Sequence, residues 1–101
     1  LLIVCDDLSL PLGKIRIRPQ GSAGGQKGLA DILKSLGSQE VPRLRIGIDP
    51  TPPNWDTADY VLGRFRKEER PIIDQSVQIA CEAVEAWCLQ DLQFCMNRFN
   101  K

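Results

Sequence analysis

Two short stretches, in which isoleucine or leucine alternates strictly with a second residue type, constrain the fold most. Lys14-Ile15-Arg16-Ile17-Arg18 and Arg43-Leu44-Arg45-Ile46-Gly47-Ile48 carry an aliphatic side chain at every second position. A period of two is the mark of a strand with one buried face and one exposed face. Both stretches therefore predict amphipathic strands, the first with an outer face of Lys14, Arg16 and Arg18 and the second with Arg43 and Arg45 opposite its aliphatic side. Leu1 to Cys5 is a continuous apolar run and predicts a further strand, buried on both faces and so central in its sheet. The segment Ser9-Leu10-Pro11-Leu12-Gly13 is punctuated by proline and glycine, which predicts a turn joining the first two strands as neighbours.

Helical periodicity fills the intervals. After the glycine-dense loop Gly21-Ser22-Ala23-Gly24-Gly25-Gln26-Lys27-Gly28 come Leu29, Ile32, Leu33 and Leu36, spaced as one helix face and closed by Gly37. Three prolines between Asp49 and Asp56 exclude regular structure there. Tyr60 to Gly63 is expected to add a short strand. From Pro71 onward, Ile73, Val77, Ala80, Val84 and Trp87 mark a helix over about residues 70–89. Leu92, Cys95, Met96 and Phe99 mark another. The expected class is α/β, a mixed sheet flanked by helices, with residues 1–101 forming part of one larger domain. With 43% hydrophobic and 6% aromatic residues, its core should be aliphatic.

The net charge is zero, yet the charges are segregated. Residues 14–45 hold seven cations against Asp31 and Glu40, a net +5, whereas residues 71–97 hold four carboxylates and no Lys or Arg. One end should be basic and the other acidic. Histidine is absent from the sequence, which excludes imidazole base catalysis and Ser-His-Asp or Cys-His arrangements from these residues. The four cysteines form no C-x-x-C pair; Cys81, Cys88 and Cys95 recur every seven residues and are expected as reduced, buried thiols on one helix face. No metal or cofactor is expected. No apolar run approaches the roughly 18 residues of a membrane span, so neither anchor nor signal peptide is expected. The chain opens on Leu1 in an apolar run, which points to a truncation.

Several groups could carry chemistry. The loop Gly24-Gly25-Gln26-Lys27-Gly28 lacks the spacing of a mononucleotide phosphate loop. At a helix N-terminus it offers free N–H groups to an anion, or it is a tight turn needing glycine for geometry alone. Asp6, at the carboxyl end of a strand, lies where α/β folds gather ligands, or else caps the turn at Ser9 to Gly13. Asp7 shares the capping alternative. Arg16, Arg18 and Arg45 could converge on phosphate or form a solvated face. Trp87 is expected to pack, and Trp55, in the proline loop, to offer contact surface.

The blocks Val4 to Gly13, Ile15 to Arg18, Gly21 to Leu29, Pro42 to Ile48, Tyr60 to Phe65 and Met96 to Asn100, in this order and spacing, resemble the carboxyl-terminal half of bacterial peptidyl-tRNA hydrolases. The resemblance implies a cytoplasmic translation enzyme that cleaves the ester between peptide and tRNA without cofactor or metal. Its catalytic histidine belongs to the amino-terminal half. Asp6 matches the aspartate that hydrogen-bonds that histidine. Where the family commonly reads G-G-H-N-G, this sequence has Gly24, Gly25, Gln26, Lys27 and Gly28, so a lysine stands at the substrate-contacting asparagine and Gln26 at a histidine. Arg16, Arg18 and Arg45 fall at positions that clamp tRNA phosphates. The implied partner is peptidyl-tRNA, with no membrane; a monomeric parent is expected, and a fragment that is inactive alone and self-associates. The alternative implied by Gln26 and Lys27 is a non-catalytic tRNA-binding or scaffold relative.

Overall fold

The computed structural model describes residues 1–100. Its elements are β1 (Ile3–Asp7), β2 (Ile15–Arg18), α1 (Lys27–Leu36), β3 (Arg43–Gly47), α2 (Thr57–Leu62), α3 (Arg70–Leu89) and α4 (Leu92–Phe99). The strands form one mixed sheet of order β1-β3-β2, with β3 parallel to β1 and antiparallel to β2. The expected α/β class is therefore found, and the helix expected near 70–89 is α3.

Three expectations about the strands are corrected. β1 and β2 are not neighbours, because β3 lies between them and offers each a complete ladder. The connection from β1 to β2 must then pass over the end of β3, and it does so at Gly47. A Cβ at that position would collide with the Pro11 carbonyl and with Leu10, while the Gly47 N–H donates to Lys14 O at 2.8 Å. Nor is β1 central: among the described residues it pairs only with β3, and Val4 is 51% exposed. Tyr60 to Gly63 adds no strand. It lies in and after α2, where the Asp56 side chain accepts the Asp59 N–H at 3.0 Å and so caps a helix that a four-residue apolar run could not reveal.

Register assigns the faces. Arg16 lies opposite Arg45 and Arg18 opposite Arg43, and across β3 these share a face with Ile3, Cys5 and Asp7. α1 covers the β1 side of that face, with Leu29 and Leu33 packed beside Val41, Ile3 and Cys5. On the other face Ile15, Ile17 and Leu44 meet Ala80, Ala83 and Ala86 of α3 and Cys95 of α4. Asn100 closes the outer edge of β2: its Oδ1 accepts the Ile17 N–H at 2.7 Å and its Nδ2 donates to Ile17 O at 2.8 Å. The side chain thus stands in for a strand's peptide group.

α3 sits rotated from its expected face. It buries Ile73, Ser76, Ala80, Ala83 and Ala86, leaving Val84 and Trp87 partly covered and Val77 exposed. Small residues allow the helix to approach closely, which a periodicity of large apolar residues does not register. The cysteine stripe is also corrected. Cys81 and Cys88 are exposed on α3, whereas Cys95 is buried on α4, because Asp91 starts a new helix by accepting the Phe94 N–H at 2.8 Å. All four thiols are free, and Cys5 is partly buried.

Candidate functional site

Successive residues of a strand point to opposite faces, so Asp6 and Asp7 at the end of β1 have separate fates. Asp7 takes the capping role: its Oδ1 accepts the Ser9 N–H at 2.8 Å, and its other oxygen lies 3.7 Å from an Arg45 nitrogen. Asp6 instead accepts a hydrogen bond from Gln26 Nε2 at 2.8 Å. The same Gln26 side chain caps α1, its Oε1 accepting the Leu29 N–H at 3.1 Å. One amide therefore ties the helix start to the strand end. No second hydrogen bond reaches the Asp6 carboxylate among the described residues, so an oxygen is left for another donor.

The glycine loop enters α1 as expected. Gly24 and Gly25 take φ values of 61° and 87°, a conformation that residues with a Cβ rarely adopt, so the glycines do serve geometry. Lys27 is the first residue of α1 and is exposed, and that first turn contains no acid. Arg16, Arg18 and Arg45 share one sheet face, but differ in freedom. Arg18 is exposed; Arg16 donates to the Asn100 carbonyl at 3.2 Å; the Arg45 side chain is only 20% exposed and donates to Ser22 O at 3.3 Å. Arg43, on the same face, is fully buried at 0% exposure. The acidic residues of α3, Asp74, Glu82 and Glu85, are exposed on the opposite side, so the charge segregation runs across the sheet.

Beside Asp6, on the α3 face, lies an apolar recess of about 360 Å³ lined by Val4, Asp6, Ile46, Tyr60, Phe65 and Val77. The Tyr60 hydroxyl donates to Ile48 O at 2.6 Å, and burial pushes its pKa up, so it stays protonated. Trp55, exposed as expected, meets Tyr60 edge to face at 6.2 Å. Burial likewise raises the Cys5 thiol, which makes it a poor nucleophile. The residues that sequence reasoning missed are Arg43, Asn100 and Tyr60. All act through backbone carbonyls or amides, which leave no pattern in side-chain types.

A strand-end carboxylate tied to a glycine loop, with a sheet that carries arginines on its other face, defines an α/β domain whose polar groups gather at the carboxyl end of a parallel strand. The family model described as peptidyl-tRNA hydrolase matches residues 1–101, and this chain belongs to that family. It is 45% identical over 101 residues to a peptidyl-tRNA hydrolase of Elusimicrobium minutum and 49% identical over 100 residues to one of Roseiflexus sp., covering 54% and 46% of their lengths. The crystal structure of peptidyl-tRNA hydrolase from Acinetobacter baumannii superposes with a TM-score of 0.88 at 30% identity, over 98% of this chain and 50% of that one. The chain thus spans about half the length of the relatives it matches.

Proposed function

We propose that these residues form the tRNA-gripping and base-orienting part of an enzyme that hydrolyses the ester between peptide and tRNA. The observation that carries this is Asp6, held on one oxygen by Gln26 and free to accept on the other. A carboxylate so placed fixes the tautomer of an imidazole and raises its basicity. With no histidine in these 101 residues, the imidazole comes from sequence outside them. Lys27, at the positive end of α1, and the Gly24-Gly25 turn would contact the acceptor end of the tRNA. Arg18, with Arg16 and Arg45 on the same face, would neutralise phosphates. Residues 1–101 count as one part of a single domain, the enzyme works in the cytoplasm, and no cofactor or metal takes part.

Lys27 favours a second reading. A cation cannot accept a hydrogen bond, so it could not help to hold an attacking water as a neutral amide would. A family member with Lys27 could bind tRNA without cleaving it.

A hybrid separates the two, made by replacing the matching half of the 45%-identical relative with residues 1–101. Release of labelled peptide from peptidyl-tRNA is expected, falling roughly 10- to 100-fold with Asp6→Ala, the usual cost of losing an orienting partner. Retained tRNA binding without release would establish the second reading.

A further inference from the structure

We propose that Arg43 is a positioning residue, a buried clamp that fixes the glycine loop so that Gln26 stands correctly against Asp6. This rests on the hydrolase reading for its catalytic consequence, but not for the clamp itself.

Arg43 lies at the start of β3, fully buried, and has no carboxylate partner among the described residues. Its guanidinium is spent on three backbone carbonyls: Nε donates to Val41 O at 3.0 Å, Nη1 to Ser22 O at 2.9 Å and Nη2 to Gln39 O at 3.2 Å. Arg45 Nη2 donates to the same Ser22 carbonyl, and Gly21 N–H donates to the same Gln39 carbonyl at 3.1 Å. Two segments are thereby joined, the glycine loop and the approach to β3. Burial, and after it the neighbouring Arg45, push the Arg43 pKa down, yet a guanidinium keeps its proton.

A buried cation without a counter-ion is costly, so its donors must be matched by good acceptors. Gly21, Gly24 and Gly25 all have positive φ, and a segment so rich in glycine loses more entropy on ordering than any other. Few backbone hydrogen bonds hold it: Gly21 N–H to Gln39 O, and Gln26 N–H to Ala23 O at 3.2 Å. The forked guanidinium supplies what the loop lacks. Lysine at 43 would keep the charge but not the planar fork that spans three carbonyls.

Hydrogen exchange in the 101-residue chain tests the clamp directly. Arg43→Lys should speed exchange at the Gly21 and Gln26 amides roughly tenfold or more, while the Gly47 amide, bonded to Lys14 O, keeps its protection. Arg43→Gln, whose amide can reach at most part of the three carbonyls and leaves no buried charge, should have the same local effect and guards against a Lys variant that fails to fold. Unchanged exchange in the loop, or equal acceleration at Gly47 in both variants, overturns the clamp. In the hybrid, Arg43→Lys should lower kcat roughly tenfold or more with KM within about threefold, since a misplaced group costs transition-state more than ground-state interactions. A rise in KM alone would overturn the catalytic part. A wild-type hybrid that binds tRNA but releases no peptide would refute the hydrolase reading and leave the exchange result to decide the clamp.

Discussion

At the scale of single residues, neighbours in the sequence do different work because the fold separates them. Asp6 and Asp7 are indistinguishable in the sequence, and either could have capped the following turn. The alternation of a strand gives the cap to Asp7 and presents Asp6 to Gln26. Gln26→Ala removes both the α1 cap and the Asp6 contact, and should lower unfolding stability by about 1 kcal/mol in a denaturant titration. The cysteines give a second check. Cys81 and Cys88 are exposed and should react first with a maleimide, Cys5 later and Cys95 last. Burial raises the Cys95 pKa, so the folded state holds the thiol proton more tightly than the unfolded chain. That contribution to stability is complete below the ordinary value of 9.0 and is lost as pH rises through the higher folded value. Cys95→Ala should therefore flatten the decline in stability on the alkaline side, as followed by unfolding at several pH values.

At the scale of elements, what the sequence made legible was whatever rests on side-chain periodicity. The alternation at Ile15 to Arg18 and the first-turn proline and length of α3 appear where expected, and of the α1 face Leu29 and Leu33 are buried while Ile32 and Leu36 stay exposed. What it concealed depends on partners distant in sequence. Strand order turned on β3 pairing both ways, the face of α3 on the closeness that alanines permit, and the fate of Tyr60 on a carbonyl twelve residues away. Of the site, Asp6 and the glycine loop were visible, but the burial of Arg43 was not, because an arginine in an alternating strand reads as exposed. Two variants probe these contacts. Asn100→Ala frees both polar groups of Ile17 at the β2 edge and should cost about 1–3 kcal/mol by chemical denaturation. Ser76 is 1% exposed and its hydroxyl has no partner among the described residues. Ser76→Ala should consequently be neutral or stabilising by up to about 1 kcal/mol in the same assay, since alanine is also the better helix former.

At the scale of the whole molecule, the sheet divides two environments. Arg16, Arg18, Arg45 and Lys27 lie on the side of α1 and Asp74, Glu82 and Glu85 on the exposed side of α3, so an RNA held by these cations should approach from the α1 side. If Arg16, Arg18, Lys27 and Arg45 each neutralise a phosphate, the logarithm of tRNA affinity should fall with the logarithm of salt at a slope of about −3. A salt-independent affinity measured by filter binding would refute the phosphate contacts. β1 presents an open edge with Leu1 and Val4 exposed beside the apolar recess. The 101 residues alone should accordingly sediment as concentration-dependent oligomers, and Val4→Lys should shift them toward monomer. If Asp6 orients and charges a base lying outside these residues, the pH profile of kcat/KM in the hybrid must depend on its charge. A carboxylate stabilises an imidazolium, so Asp6→Asn should move the ascending limb to lower pH by about one unit, with a lower plateau. An ascending limb and plateau identical to those of the wild-type hybrid would contradict the account.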